Sequence, residues 1–112
     1  MILTMAALLG TAAATCADEA TLHGHWTCNQ RPCAGRALDF DEVAGRRPFH
    51  GAVAGDVVLG EGAQWTLAAR RLEVVSAGGR RYAWVVVRLE GDELVLLDEY
   101  ESALLTFRRL PP

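Results

Sequence analysis

The 112-residue sequence contains no lysine; all eleven basic residues are arginine. That absence excludes a P-loop lysine, a Schiff-base lysine and every Ser–Lys mechanism. Serine is almost as scarce: Ser76 and Ser102 are the only two, and neither stands in a Gly-x-Ser-x-Gly elbow. There is no nucleophile–base pair, phosphate loop or cofactor motif, so the sequence predicts a non-enzyme that holds no cofactor. From Leu22 onward no 3.6-residue apolar period lasts three turns, which argues against packed helices. The net charge of −3 and pI near 5.5 give no reason to expect nucleic acid or an anionic membrane surface as partner. The composition, 51% hydrophobic and 22% charged, is that of a globular chain. The length allows one domain with a thin core that a covalent staple would help.

Met1 to Ala14 carry no side-chain charge and are mostly apolar, and the first charges are Asp18-Glu19. The run is shorter than the roughly 20 residues of a spanning helix. An apolar run, a small-residue end and an acidic start together read as a signal peptide, although no Arg or Lys precedes the run. The alternative is an N-terminal helix belonging to the mature protein. Cleavage fits after Ala12-Ala13-Ala14 or after Thr15-Cys16-Ala17. Ala13-Ala14-Thr15-Cys16 is also a degraded lipobox in which Cys16 would carry a lipid. The predicted organisation is an export segment over 1–17 and one domain over 18–112. The expected location is periplasmic or secreted, with an outer-membrane lipoprotein anchored at Cys16 as the alternative.

Three cysteines, Cys16, Cys28 and Cys33, are an odd number for an exported chain. Cleavage after Ala17 removes Cys16 and lipidation occupies it, so either leaves Cys28 and Cys33 as a pair. The turn-forming Asn29-Gln30-Arg31-Pro32 between them predicts a disulfide. Cys-x-x-x-x-Cys is not zinc-knuckle spacing, and no second pair exists.

The rest of the sequence is short apolar stretches punctuated by glycine and charged turns. Strands are predicted over 22–28, 37–42, 57–59, 64–69, 71–76, 81–89, 93–97 and 103–110. The segment 45–55 reads as a loop with room for one short strand. Ala77-Gly78-Gly79-Arg80 reads as a two-residue hairpin turn. The fold class is all-β, a small up-and-down antiparallel barrel or sandwich of seven or eight strands. Two strands are apolar on both faces: Trp84 and Val86 oppose Val85, Val87 and Leu89, while Leu94 and Leu96 oppose Val95. The outward face needs cover from the N-terminal segment or the 45–55 loop, or else it forms a dimer or partner surface.

Leu22-His23-Gly24-His25-Trp26 resembles the first-strand L-x-G-x-W signature of lipocalin-like barrels. Gln64-Trp65-Thr66-Leu67 running into Leu72-Glu73-Val74, Tyr82–Leu89 followed by Glu93–Leu96, and the closing Leu105-Thr106-Phe107-Arg108-Arg109 resemble short bacterial lipocalin-like domains. The resemblance covers most of the chain after residue 17. It implies that Trp26 lies across one barrel end with an arginine of the last strand over it. By parity Leu105, Phe107 and Arg109 share a face, which favours Arg109; a bulge would substitute Arg108. The family implies a binding or envelope structural module with a small apolar ligand. This chain is much shorter than full-length lipocalins, which argues against a roomy cavity. It also resembles small secreted inhibitors of metalloproteases, with Asp18-Glu19-Ala20-Thr21 as trunk, though its close cysteines depart from their wider loop. That resemblance implies an envelope or secreted protein as partner, met through the N-terminal segment or an exposed strand.

His23 and His25 form a His-x-His pair, and His50 is the third imidazole. With Asp39 or Asp41 they are candidate metal ligands, and exposed histidines are the plainer reading. Asp98, Glu99 and Glu101 read as a solvated acidic turn. Arg46-Arg47, Arg70-Arg71 and Arg80-Arg81 could rim an anion site, or else are ordinary solubility charges.

Overall fold

The computed structural model describes residues 19–55 and 57–111. The expected export segment and Cys16 lie outside the described residues. One four-residue helix, α1 (Glu19–Leu22), precedes nine strands: β1 (Gly24–Thr27), β2 (Ala37–Phe40), β3 (Phe49–Ala52), β4 (Val58–Leu59), β5 (Gln64–Ala68), β6 (Arg71–Val75), β7 (Arg81–Glu90), β8 (Glu93–Asp98) and β9 (Ala103–Arg109).

All nine belong to one antiparallel sheet in the order β4-β3-β2-β1-β9-β8-β7-β6-β5. The protein is therefore all-β, and its sheet is an up-and-down meander curled into a half-barrel. Its ends meet at one corner. There Pro48 bridges Gln64, the Phe49 amide donates to the Ala63 carbonyl at 3.0 Å, and the Trp65 amide donates to the Arg47 carbonyl at 3.0 Å. The count is nine rather than seven or eight. The difference lies in one short strand, β3, which forms in the 45–55 segment read as a loop with room for it; the two-residue β4 falls within the expected 57–59 strand.

The alternation of side chains explains the core. In β5, Trp65 and Leu67 face inward while Gln64, Thr66 and Ala68 face water. In β6 the buried pair is Leu72 and Val74, and in β8 it is Leu94 and Leu96. Trp26, Phe40, Phe49, Trp65 and Phe107 are fully buried and fill the interior. Each such side chain contributes about 1.5–3 kcal/mol by leaving water. Phe40 bridges Phe49 and Trp65, with ring centroids 5.3 and 5.6 Å away.

Four details differ from the sequence reading. Leu22 ends a helix instead of starting β1; it stays buried, and its carbonyl accepts the Trp26 indole N–H at 2.9 Å. The β6–β7 turn encloses three residues. Gly79 N–H donates to the Ser76 carbonyl, Ser76 N–H donates to the Arg80 carbonyl, and Gly79 takes φ 92°. This is the three-residue hairpin whose last position favours glycine. The strict parity of β7 breaks at Val87, an extra residue between Val86↔Leu96 and Arg88↔Val95. Beyond this bulge Leu89 pairs with Leu94 and packs on the core, whereas parity groups it with Val85, opposite Trp84 and Val86. The bulge is held by Arg70, whose guanidinium donates to the Val86 carbonyl at 2.9 Å and the Val87 carbonyl at 2.6 Å. Finally, the 45–55 segment supplies β3 to the sheet rather than a cover for its outer face. Leu104, 57% exposed, stays open on that face beside Leu97 and Val85.

Candidate functional site

The barrel end is built on Gly24. Its φ of 129° disfavours any side chain, and a Cβ there would lie 2.9 Å from Arg109 Nη1. With no Cβ present, Arg109 lies across the end, its guanidinium carbon 4.3 Å from the Trp26 ring centroid. Nη1 donates to the His23 carbonyl and Nη2 to the Thr21 carbonyl, while Nε lies 3.4 Å from Asp92 Oδ1. Arg108 instead points outward, toward Glu93. Charge over indole and a fork on two carbonyls make this a clamp, and α1 is tied to the sheet through it.

A second end is organised by the disulfide. Cys28 and Cys33 are bonded, with Cα atoms 5.7 Å apart, and both are buried. The Cys28 amide donates to the Arg36 carbonyl at 3.0 Å, and the Gly35 amide donates back to the Cys28 carbonyl at 2.8 Å. The stapled loop thus ends where β2 begins. Arg36 then reaches Glu101, 65 residues away, in a two-pronged pair of 2.8 and 2.9 Å. That pair holds the Glu101 carboxyl below the usual Glu range, through the hydrogen bonds and the charge of Arg36. Between this loop and the outer side of β2, β3 and β4 runs an open groove of about 870 Å³. Its lining is small or apolar (Pro32, Ala34, Ala37, Ala52 and Val58 among others), with Arg36, Asp39 and His50 as its polar groups. β4 ends the sheet, and Val58 beside the groove is 72% exposed.

The histidines do not gather. His23 packs edge-on to Trp65, centroids 5.5 Å apart, with its Nε2 3.5 Å from Glu42 Oε1. His25 bonds Asp39 through Nδ1, and Asp39 is also the cross-strand neighbour of His50. The hydrogen bond to Asp39 and its negative charge, with a smaller contribution from Asp41, raise the His25 pKa above its ordinary value. Among the described residues no group of three or more His, Cys, Asp or Glu side chains could hold a metal ion.

The arginine pairs do not rim one site either. Arg47 lies over Trp65 at 5.2 Å, Arg70 secures the bulge, and Arg71 and Arg81 both reach Glu73. The acidic turn is not wholly solvated: Asp98 is 2% exposed. Its Oδ1 accepts the Tyr100 and Glu101 amides at 2.8 and 3.1 Å, which shapes the β8–β9 turn. Its Oδ2 is buried without a hydrogen-bond partner. Parity held the clue, because Asp98 follows Leu94 and Leu96 at spacing two, on the inward face. Comparison with protein-family models, curated proteins and solved structures found no match.

Proposed function

We propose that this protein is an exported, lipocalin-like binding module that meets a protein partner on its outer surface and performs no catalysis. The carrying observation is the filled interior. Trp26, Phe40, Phe49, Trp65 and Phe107 occupy the space in which a carrier would hold an apolar ligand. Binding then falls to the outside, where the groove beside the disulfide loop offers a concavity of about 870 Å³. Among the described residues no strand pairs with the outer edge of β4, which borders it, and Val57 and Val58 are exposed. An unpaired strand edge next to an apolar groove suits an extended segment of another protein, which can add backbone hydrogen bonds while its side chains enter the groove. The disulfide supports export, because such bonds persist in oxidising compartments.

Photocrosslinking tests this reading. A photoreactive residue at Val58, installed in the producing cell, should trap one envelope or secreted protein, and the same residue at Thr66 should not. Saturable micromolar binding of a fluorescent fatty-acid analogue, abolished by Leu96→Trp, would overturn it in favour of a carrier.

A further inference from the structure

A second concavity lies where β7 and β8 approach the segment after β3. It measures about 320 Å³ and is lined by Val53, Tyr82, Trp84, Asp98, Glu99 and Tyr100, among others. It shares no lining residue with the groove, so it stands apart from the function proposed above.

Asp98 is the only buried charged residue among the described ones. Trp84 is its cross-strand partner, so carboxyl and indole lie side by side on the inward face. The turn uses one carboxylate oxygen and leaves Oδ2 with no donor. A buried carboxylate oxygen needs a donor, because burial strips away the water that would otherwise supply one.

The surrounding charges favour a cation. Glu101 is neutralised by Arg36, and Glu99 adds an acid to the lining. Arg81 also borders the cavity, but its guanidinium turns to Glu73, 3.4 Å away. Aromatic surface from Trp84, Tyr82 and Tyr100 suits an organic cation, since ring faces attract ammonium groups and ring bodies shed water. A bare metal ion would need more oxygen ligands than one carboxylate oxygen provides. The volume, at the low end of small-molecule sites, limits the guest to a compact molecule.

We propose that this cavity seats a small primary amine, whose ammonium pairs with the Asp98 carboxylate while its apolar stem lies against Trp84, Tyr82 and Tyr100.

Calorimetric titration of the full chain with phenethylamine tests this, with phenethyl alcohol as the neutral control. The amine should bind more tightly than about 1 mM, and the alcohol at least about tenfold more weakly. Asp98→Asn should weaken the amine by about tenfold or more. If that variant does not fold, Tyr100→Ala serves in its place. Tyr100 is 78% exposed, so its removal should weaken the amine several-fold and leave the melting temperature unchanged. A parallel titration with Nα-acetyl-lysine amide separates the sources: tighter binding of the lysine derivative identifies a protein side chain as the guest, and tighter binding of phenethylamine a free amine. Equal affinity for amine and alcohol, or no saturation by either amine, overturns the proposal.

Discussion

Arg109 lies over Trp26 at 4.3 Å, and the two residues are also direct cross-strand partners in β9 and β1. One contact thus joins an early strand to the last one and covers the barrel end. Trp26→Ala should cost about 3–5 kcal/mol, since it empties the fully buried indole site. Arg109→Met keeps the stem but loses the fork on the Thr21 and His23 carbonyls, and should cost about 1–3 kcal/mol. Arg109→Lys should not rescue it, because an ammonium cannot reproduce the planar fork. Urea denaturation measures all three, and an unchanged midpoint for Trp26→Ala would count against the clamp.

Gly24→Ala should destabilise by about 1–3 kcal/mol, combining backbone strain with displacement of Arg109. The crowding half of that effect belongs to Arg109. In a double-mutant cycle with Arg109→Met, the two losses should add to less than their sum.

Reduction of Cys28–Cys33 should lower stability by about 2 kcal/mol, the loop-entropy value for so short a ring. Cys28→Ala/Cys33→Ala should match the reduced protein. Intact mass with and without reductant confirms the bond, and equal denaturation midpoints for oxidised and reduced protein would contradict the expected loss.

The His25–Asp39 pair should make stability depend on pH near neutrality. The folded pKa of His25 is raised, so the contribution of the charged pair is complete below the unfolded value of about 6.5. It is lost as pH rises through the higher folded value. Both groups are partly exposed, so the effect should be small and weaken with salt. NMR titration of the His25 ring should show its pKa falling in Asp39→Asn. Glu101 acts in the opposite direction. Its folded pKa is lowered by Arg36, so that contribution is present above the unfolded Glu value and is lost as pH falls through the folded one. Arg36→Met should therefore raise the Glu101 pKa and reduce the loss of stability on acidification.

Arg70→Met should loosen the β7 bulge, whose two carbonyls it binds. Amide exchange should accelerate around Val86–Arg88 while β9 keeps its protection. Uniform acceleration across the sheet would instead report global destabilisation.

The sequence was legible where the physics is local. Alternation in β8 set Leu94 and Leu96 apart from Val95, and the parity of Leu105, Phe107 and Arg109 favoured the arginine that lies over Trp26. Alternation failed at Val87, because counting by twos assumes no inserted residue and only the cross-strand register reveals one. The helix at Glu19–Leu22 is too short to show a period. Asp98 was readable by parity but was hidden by its acidic neighbours, which suggested water. The groove and the Arg36–Glu101 pair depend on segments far apart in sequence meeting in space, and no local pattern encodes that.

The pairing of β1 with β9 also bears on when the chain can fold. Residue 26 waits for residue 109, so β1 and β9 can pair only after the 82 intervening residues have been synthesised. Such long-range pairing slows folding, because the entropy of closing the loop is lost before any contact repays it.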